Sequence, residues 1–137
     1  MTALPSKLRL DVVTPDRLLL SEEVAGVTFP GSEGYLGILP GHLPLLTTLG
    51  IGVLSYLQSG RKYTFSISGG FAEVLPDRVI IMASSIERPE EIDLERARSA
   101  KERAEKSLSS RESIDVDRTM AALLRATSRL QVAQLRE

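Results

Sequence analysis

Hydrophobic and polar positions alternate through roughly the first two thirds of the chain, with the period of two that is typical of half-buried β-strands. The first such run alternates Leu8, Leu10 and Val12 with Arg9 and Asp11. Similar runs, separated by turns rich in glycine and proline, cover residues 51–57, 63–67, 71–75 and 79–83. Many short strands at this spacing predict a sandwich or a flattened barrel.

After about residue 87 the apolar positions recur every three to four residues, which predicts two amphipathic helices. Asp93 is expected to cap the first helix, whose apolar stripe consists of Leu94, Ala97, Ala104 and Leu108. Asp115 is expected to cap the second, whose seam for a partner helix consists of Val116, Met120, Leu123, Thr127 and Leu130. Because the connector between them is short, the two helices should form an antiparallel hairpin.

The composition changes at the same point of the chain. All ten glycines, all six aromatic residues and six of the seven prolines lie in residues 1–86, whereas charged residues number 13 there and 22 in residues 87–137. We therefore predict a β-sandwich domain over residues 1–86 and a two-helix hairpin over residues 87–137. A buried leucine contributes roughly 1.5–3 kcal/mol and an alanine much less. The alanine-rich hairpin should therefore be lightly held, so that a partner can open it.

Charge and residue usage exclude several classes of function. The net charge is −1, so there is no basic surplus that would attract nucleic acid or anionic lipid. There is no cysteine, which rules out disulfides and thiolate metal sites. No signal-peptide pattern or apolar run of membrane-spanning length is present, so a membrane would be reached only through a partner. Residues 1–86 carry six basic against seven acidic side chains, which argues against nucleic-acid binding, and Tyr56, Tyr63 and Phe65 are expected to fill the core.

The stretch PGSEGYLGILPGHLPLL, residues 30–46, invites two chemical interpretations. Its glycines match neither a dinucleotide fingerprint nor a P-loop, and no lysine follows them. His42 is the chain's one histidine, and the nearest acid, Glu33, lies nine residues before it in a turn-rich segment. Loop architecture or partner contact is therefore favoured over a phosphate cradle or a catalytic histidine.

Arginines are frequent in the predicted hairpin. From Arg118 onward the second helix has four arginines and one acid, Glu137. Three interpretations are open: a solvated, salt-bridged surface, a docking face for an acidic protein, and a clamp for a polyphosphate. The residues concerned are Arg96, Arg103, Arg118, Arg125, Arg129 and Arg136.

Four motifs in order carry a resemblance to a known family: LDVVTPDR near the start, GSEGYLGILPGHLPLL, SGGFAEV at residues 68–74 and IDLERA at residues 92–97. Over nearly its whole length the chain resembles the ε subunit of F-type ATP synthases. The resemblance implies an N-terminal β-sandwich and a C-terminal helical hairpin. It further implies a noncatalytic central-stalk subunit, peripheral at the cytoplasmic face of the bacterial plasma membrane, which needs no cofactor.

The resemblance also implies partners and candidate sites. The sandwich would bind the γ subunit and the c-ring, coupling proton-driven rotation to ATP synthesis, and Ser32, Tyr35 and His42 match the rotor-facing edge. Many relatives have an acid where this chain has Tyr35. The extended hairpin would inhibit ATP hydrolysis by contacting the α/β catalytic head through Arg118, Arg125 and Arg129. The folded hairpin would bind ATP as a regulatory ligand, and the matching positions are Glu87, Ile92, Asp93, Arg96, Ala97, Arg103, Arg125 and Arg129.

Two other functions remain open from the residues alone. One is a stand-alone module whose hairpin closes on ATP. The other is a small hydrolase that uses His42.

Overall fold

The computed structural model describes residues 5–110 and 115–135. Eight β-strands precede two helices, with a 3-10 turn at Pro89–Glu91 between them. The strands are β1 Leu8–Val13, β2 Leu18–Val24, β3 Gly26–Gly31, β4 Gly34–Ile38, β5 Leu45–Thr48, β6 Ile51–Gln58, β7 Arg61–Leu75 and β8 Arg78–Glu87. The helices are α1 Leu94–Ser109 and α2 Val116–Gln134.

The strands form one hydrogen-bonded path in the order β2-β1-β8-β7-β6-β3-β4, with β5 paired to β7. The 15-residue strand β7 belongs to both layers of the sandwich, because its first half pairs with β6 and its second half with β5. Gly69 and Gly70 lie between the halves with φ of +74° and +116°, a backbone conformation that favours glycine. A Cβ at Gly70 would also collide with the Met82 carbonyl oxygen.

One apolar core fills the space between the layers, and it confirms the β-sandwich that the strand pattern and the family resemblance predict. Tyr56 and Phe65 are buried in this core, and Tyr63 is partly buried against it. The largest fully buried side chains of the sandwich are Phe29, Phe65, Leu8, Leu10, Ile38, Leu54, Ile67 and Ile81. The aromatic residues that might have stacked on nucleic-acid bases are therefore core residues.

Both helices begin at the predicted caps. The Asp93 carboxylate accepts a hydrogen bond from the Arg96 backbone N–H at 3.1 Å. The Asp115 carboxylate accepts one from the Arg118 backbone N–H at the same distance. In each helix this bond satisfies one of the four N–H groups that a helix start leaves without a partner.

The predicted seam of α2 is wrong at several positions. Val116 is 55% exposed and Met120 is 40% exposed, whereas the buried residues of this helix are Ala126, Ser128 and Val132. The reason is that α2 packs on β6 and β7 as well as on α1. A second packing surface moves the buried stripe away from the one that a helix pair alone would require.

A buried carboxylate joins three strands of one layer. Asp11 on β1 is 6% exposed; it accepts hydrogen bonds from Ser21 of β2, at 2.6 Å, and from Arg78 of β8. Burial raises the pKa of Asp11, but the Ser21 and Arg78 hydrogen bonds and the charges of Arg78 and Arg9 outweigh it, so the pKa lies below its usual value.

The lowered pKa of Asp11 predicts that the free energy of unfolding depends on pH. Because the folded-state pKa is lowered, the stabilisation is present above the unfolded pKa of about 4 and is lost as pH falls through the folded value. Asp11→Asn should therefore lower the free energy of unfolding by about 1–3 kcal/mol at pH 7. The difference should shrink below about pH 4. Urea unfolding across this pH range measures it, with Glu33→Gln on an exposed turn as control. An effect of Asp11→Asn that is constant with pH would contradict the assignment.

Candidate functional site

The contact between α2 and the sandwich centres on one buried serine. Ser128 is 4% exposed, and its hydroxyl donates to the Gly52 carbonyl oxygen at 2.5 Å. The Ser66 hydroxyl lies 3.0 Å from the Ser128 hydroxyl. Because Ser128 has a single O–H, Ser66 is the donor of this second bond. Both bonds join residues more than 60 positions apart in the chain.

An apolar cluster and an ion pair flank this serine. Val132, one helical turn further along α2, is fully buried in a cluster with Val53, Ile92 and Ala97. On the other flank the Arg129 Nε lies 2.5 Å from the Glu87 Oε1. Because Glu87 pairs with Ser66 across β7 and β8, the ion pair adjoins the serine bonds. Serine bonds, apolar cluster and ion pair form one small docking contact.

The candidate ATP residues fall into two groups in this structure. Glu87 and Arg129 form the ion pair, Ile92 and Ala97 lie in the apolar cluster, and Asp93 caps α1. The second group is cationic: Arg96 and Arg103 are exposed on α1, seven residues apart and hence on one stripe, and Arg125 is partly exposed on α2. Within residues 5–110 and 115–135, the guanidinium groups of the second group make no ion pair.

The basic side of α2 continues toward its start. Arg118 is exposed and lies seven residues before Arg125, which places both on the stripe that ends at Arg129. On the opposite side of the helix from this stripe, Val116, Met120 and Leu124 recur every four residues and are 55%, 40% and 48% exposed. The second helix is therefore basic on the side that adjoins the docking contact and has exposed apolar side chains on the other side. Arg136 lies outside the described residues.

Ser32 and Tyr35 lie in the tight β3–β4 hairpin. Ser32 is exposed, and its backbone N–H donates to the Thr48 carbonyl oxygen at 3.1 Å. The Tyr35 ring is largely exposed as well, yet its hydroxyl accepts the Val53 backbone N–H at 2.9 Å. Tyr35 thus bonds to the strand on which α2 docks.

His42 does not lie with these two residues. The 30–46 stretch is no single loop, because β4 and the start of β5 lie within it. Gly41 donates its N–H to the Pro76 carbonyl oxygen at 2.7 Å, which fixes His42 near the β7–β8 turn, at the other end of β5 from Thr48. The His42 Nδ1–H donates to the Leu43 carbonyl oxygen at 2.7 Å. No metal-binding group of three or more His, Asp or Glu residues occurs among the described residues.

An exposed apolar face on the sandwich escaped the sequence analysis. Phe71 pairs with Thr48 of β5 and with Met82 of β8, and two residues along β7 Glu73 pairs with Leu46 and Ile80. Paired residues point to the same side of a sheet. The outer apolar face therefore consists of Leu46, Phe71, Ile80 and Met82, with Glu73 among them, between Leu46 and Ile80. Leu46 is 67%, Phe71 53% and Met82 39% exposed. The alternation of Phe71 with buried Ala72 is the signal that could have revealed it.

Two family models together match nearly the whole chain. The "ATP synthase, Delta/Epsilon chain, beta-sandwich domain" matches residues 7–89. The "ATP synthase, Delta/Epsilon chain, long alpha-helix domain" matches residues 90–134. Within the described residues, neither helix is long and apolar enough to cross a membrane.

Curated relatives and a solved structure agree with these matches. The ATP synthase epsilon chain of Herpetosiphon aurantiacus is 51% identical over 94% of this chain and 96% of that protein. The one from Nitratidesulfovibrio vulgaris strain DP4 is 49% identical over 91% of this chain and 94% of that protein. A chain in the Euglena gracilis mitochondrial ATP synthase structure (OSCP/F1/c-ring) is 30% identical, with a TM-score of 0.83 over 97% of this chain and 84% of that chain.

The chain therefore belongs to the ATP synthase δ/ε chain family, and within it to the ε chains of F-type ATP synthases. This confirms the resemblance that the sequence motifs carried. It makes the protein a subunit of the ATP synthase complex, with a part in ATP synthesis and ion transport.

Proposed function

We propose that this chain is a noncatalytic coupling subunit of the central stalk, whose sandwich binds γ and the c-ring and whose hairpin regulates ATP hydrolysis. The outer apolar face is the observation that carries the coupling role. Exposed apolar side chains that cluster on one surface mark protein interaction sites. Leu46, Phe71 and Met82 are such a cluster on the described surface of the sandwich.

The Ser32 edge extends the proposed binding surface. Ser32 donates to the carbonyl of Thr48, and Thr48 pairs with Phe71, so the polar β3–β4 turn adjoins the outer apolar face. A partner seated on the face would meet apolar side chains around Glu73 and polar groups at this rim. We assign γ to the face and the polar loops of the c-ring to the edge at Ser32 and Tyr35. His42 lies away from this edge and is assigned to γ.

This assignment has support from the relatives. The Euglena gracilis structure that contains the similar chain is described as containing F1 and the c-ring. In a bacterial cell the same assembly would hold this chain at the cytoplasmic face of the plasma membrane. Its attachment would then depend on γ and the c-ring rather than on lipid.

Phe71→Ser tests the γ-binding role of the outer apolar face. Because burying a phenylalanine contributes roughly 1.5–3 kcal/mol, the variant should bind purified γ at least about tenfold more weakly. Titration calorimetry or pull-down with γ measures the loss. The matched control is Leu57→Ser, which removes a side chain that is 47% exposed and lies off this face. Equal affinities for wild type and Phe71→Ser would exclude the face as the γ site.

The regulatory role is proposed for the hairpin. Released from the sandwich, α2 would carry Arg118, Arg125 and Arg129 toward acidic segments of the α/β head. Its exposed Val116, Met120 and Leu124 would add apolar contact. Such a helix, basic on one side and apolar on the other, suits an acidic protein groove. Docked on the sandwich, the same helix would be unable to inhibit.

A disulfide that locks α2 onto the sandwich tests whether inhibition requires release of the hairpin. The chain has no cysteine, and the Ser66 and Ser128 hydroxyls lie 3.0 Å apart, so Ser66→Cys with Ser128→Cys should permit a disulfide. In the assembled enzyme, oxidation should abolish inhibition of ATP hydrolysis by this subunit, and a reductant should restore it. The single Ser128→Cys variant is the control for loss of the serine bonds. Persistent inhibition by the oxidised double variant would refute regulation by hairpin release.

ATP is proposed as the ligand that favours the docked hairpin. Arg96 and Arg103 have guanidinium groups available for phosphate oxygens. Arg129 is held by Glu87 in the docking contact. A ligand at about 100 times its dissociation constant stabilises the state it binds by roughly 2.7 kcal/mol. This is comparable to the contribution expected of one or two buried side chains, so ATP would shift the hairpin equilibrium substantially.

A nucleotide titration of the full chain followed by NMR tests the ATP proposal. Backbone amides of α1 near Arg96 and Arg103 should shift as ATP is added. Arg96→Ala and Arg103→Ala should each weaken binding about tenfold or more, because each removes charge-assisted hydrogen bonds worth roughly 1.5–3 kcal/mol. Arg98→Ala is the control, since Arg98 is on the same helix but is paired with Glu95 at 2.7 Å. No shift at millimolar ATP, or equal losses in all three variants, would remove ATP from the proposal.

A further inference from the structure

We propose that Tyr35 is a positioning residue for the docked hairpin, acting through the single peptide group that joins Gly52 to Val53. The N–H of this peptide group donates to the Tyr35 hydroxyl at 2.9 Å. Its C=O accepts the Ser128 hydroxyl of α2 at 2.5 Å. One peptide unit of β6 is therefore held by the β3–β4 edge at one end and by the regulatory helix at the other.

The strand pairing explains why the peptide N–H needs Tyr35. The β3–β6 ladder runs from Gly26 to Thr28, and its register, extended two residues, would bring Pro30 opposite Val53. The ladder stops short of that point. Tyr35, the partner of Pro30 in β4, reaches past β3 and offers its hydroxyl as the acceptor instead. Without it, a partly buried N–H would lose its partner.

Gly52 makes room for this arrangement. A Cβ at Gly52 would overlap the Tyr35 hydroxyl and press on the Pro30 ring. Successive side chains of a strand point to opposite faces, and the side chain of Val53 packs with Val132 of α2. The Tyr35 ring and α2 therefore lie on opposite faces of β6, and they communicate through the backbone of the strand rather than by direct contact.

Two hydrogen bonds on one peptide unit reinforce each other. A donor at the C=O polarises the amide and makes its N–H a better donor, and an acceptor at the N–H makes the C=O a better acceptor. The Tyr35 bond should therefore be stronger when the hairpin is docked, and docking should be stronger when the Tyr35 bond is intact. By thermodynamic reciprocity, if docking of the hairpin changes the affinity of a partner that contacts Tyr35, that partner changes the docking equilibrium by the same factor. This last step rests on the proposed function, in which the edge at Ser32 and Tyr35 meets the c-ring.

The core of the proposal is tested on the isolated full chain, where no partner is needed. Amide hydrogen exchange, read by NMR, is compared for wild type, Tyr35→Phe, Ser128→Ala and the double variant. Tyr35→Phe keeps the ring and removes the hydroxyl; because linked hydrogen bonds strengthen each other by about 10–30%, it should raise exchange of the buried part of α2 about 1.2- to 1.7-fold. The double variant should show less than the product of the two single effects. Tyr63→Phe removes a tyrosine hydroxyl elsewhere on the sandwich and is the control.

Two results would overturn the proposal. Independent effects of Tyr35→Phe and Ser128→Ala would mean that the two bonds do not communicate. Equal acceleration of exchange in α2 and in β1 and β8 would mean that Tyr35 only stabilises the whole sandwich. Failure of Phe71→Ser to weaken γ binding would leave this experiment unaffected, so the proposed function and the coupling fail separately.

Discussion

The regulation proposed for this protein depends on how weakly α2 is bound to the sandwich. The docking contact consists of two serine hydrogen bonds, a small apolar cluster to which α2 contributes the fully buried Val132, and one ion pair that is partly open to solvent. Burying a valine contributes roughly 1.5–3 kcal/mol and a neutral hydrogen bond about 1 kcal/mol, before the entropy of ordering the helix is subtracted. The net free energy of docking is therefore small enough that one bound ligand could double it or one competing protein surface could replace it.

The sandwich, in contrast to the docked helix, is strongly held together. Its layers share a continuous core, and β7 runs through both layers, so neither can separate without breaking the ladders of the other. Asp11 adds a carboxylate bonded to two neighbouring strands, and removing one partner would leave a buried charge uncompensated. A rigid platform and a lightly held hairpin fit a protein in which one part transmits torque while the other changes state.

The sequence predicted what local chemistry decides and missed what distant contacts decide. Strand alternation and the caps at Asp93 and Asp115 depend on neighbours in the chain, and the structure confirms them. The buried face of α2 depends on Ser66 and Gly52, which lie 62 and 76 residues from Ser128, so periodicity alone favoured the wrong seam. The bond of Tyr35 to Val53 forms because the β3–β6 ladder ends before Pro30, which no local pattern encodes. The roles assigned to the arginines, Ser32 and His42 stay predictions.

The polar bonds of the docking contact suit the hairpin release that we propose. An apolar residue in place of Ser128 could pack on the sandwich in several positions of α2. It would also expose apolar surface to water whenever α2 is undocked. Ser128 and Arg129 instead make directional bonds that are satisfied in one register when docked and by water when free. The contact thus gains specificity from geometry while its net strength stays low. Ser128 bonds to the same peptide group of β6 that Tyr35 holds from the β3–β4 hairpin. We therefore expect the docked position of α2 to depend on that hairpin.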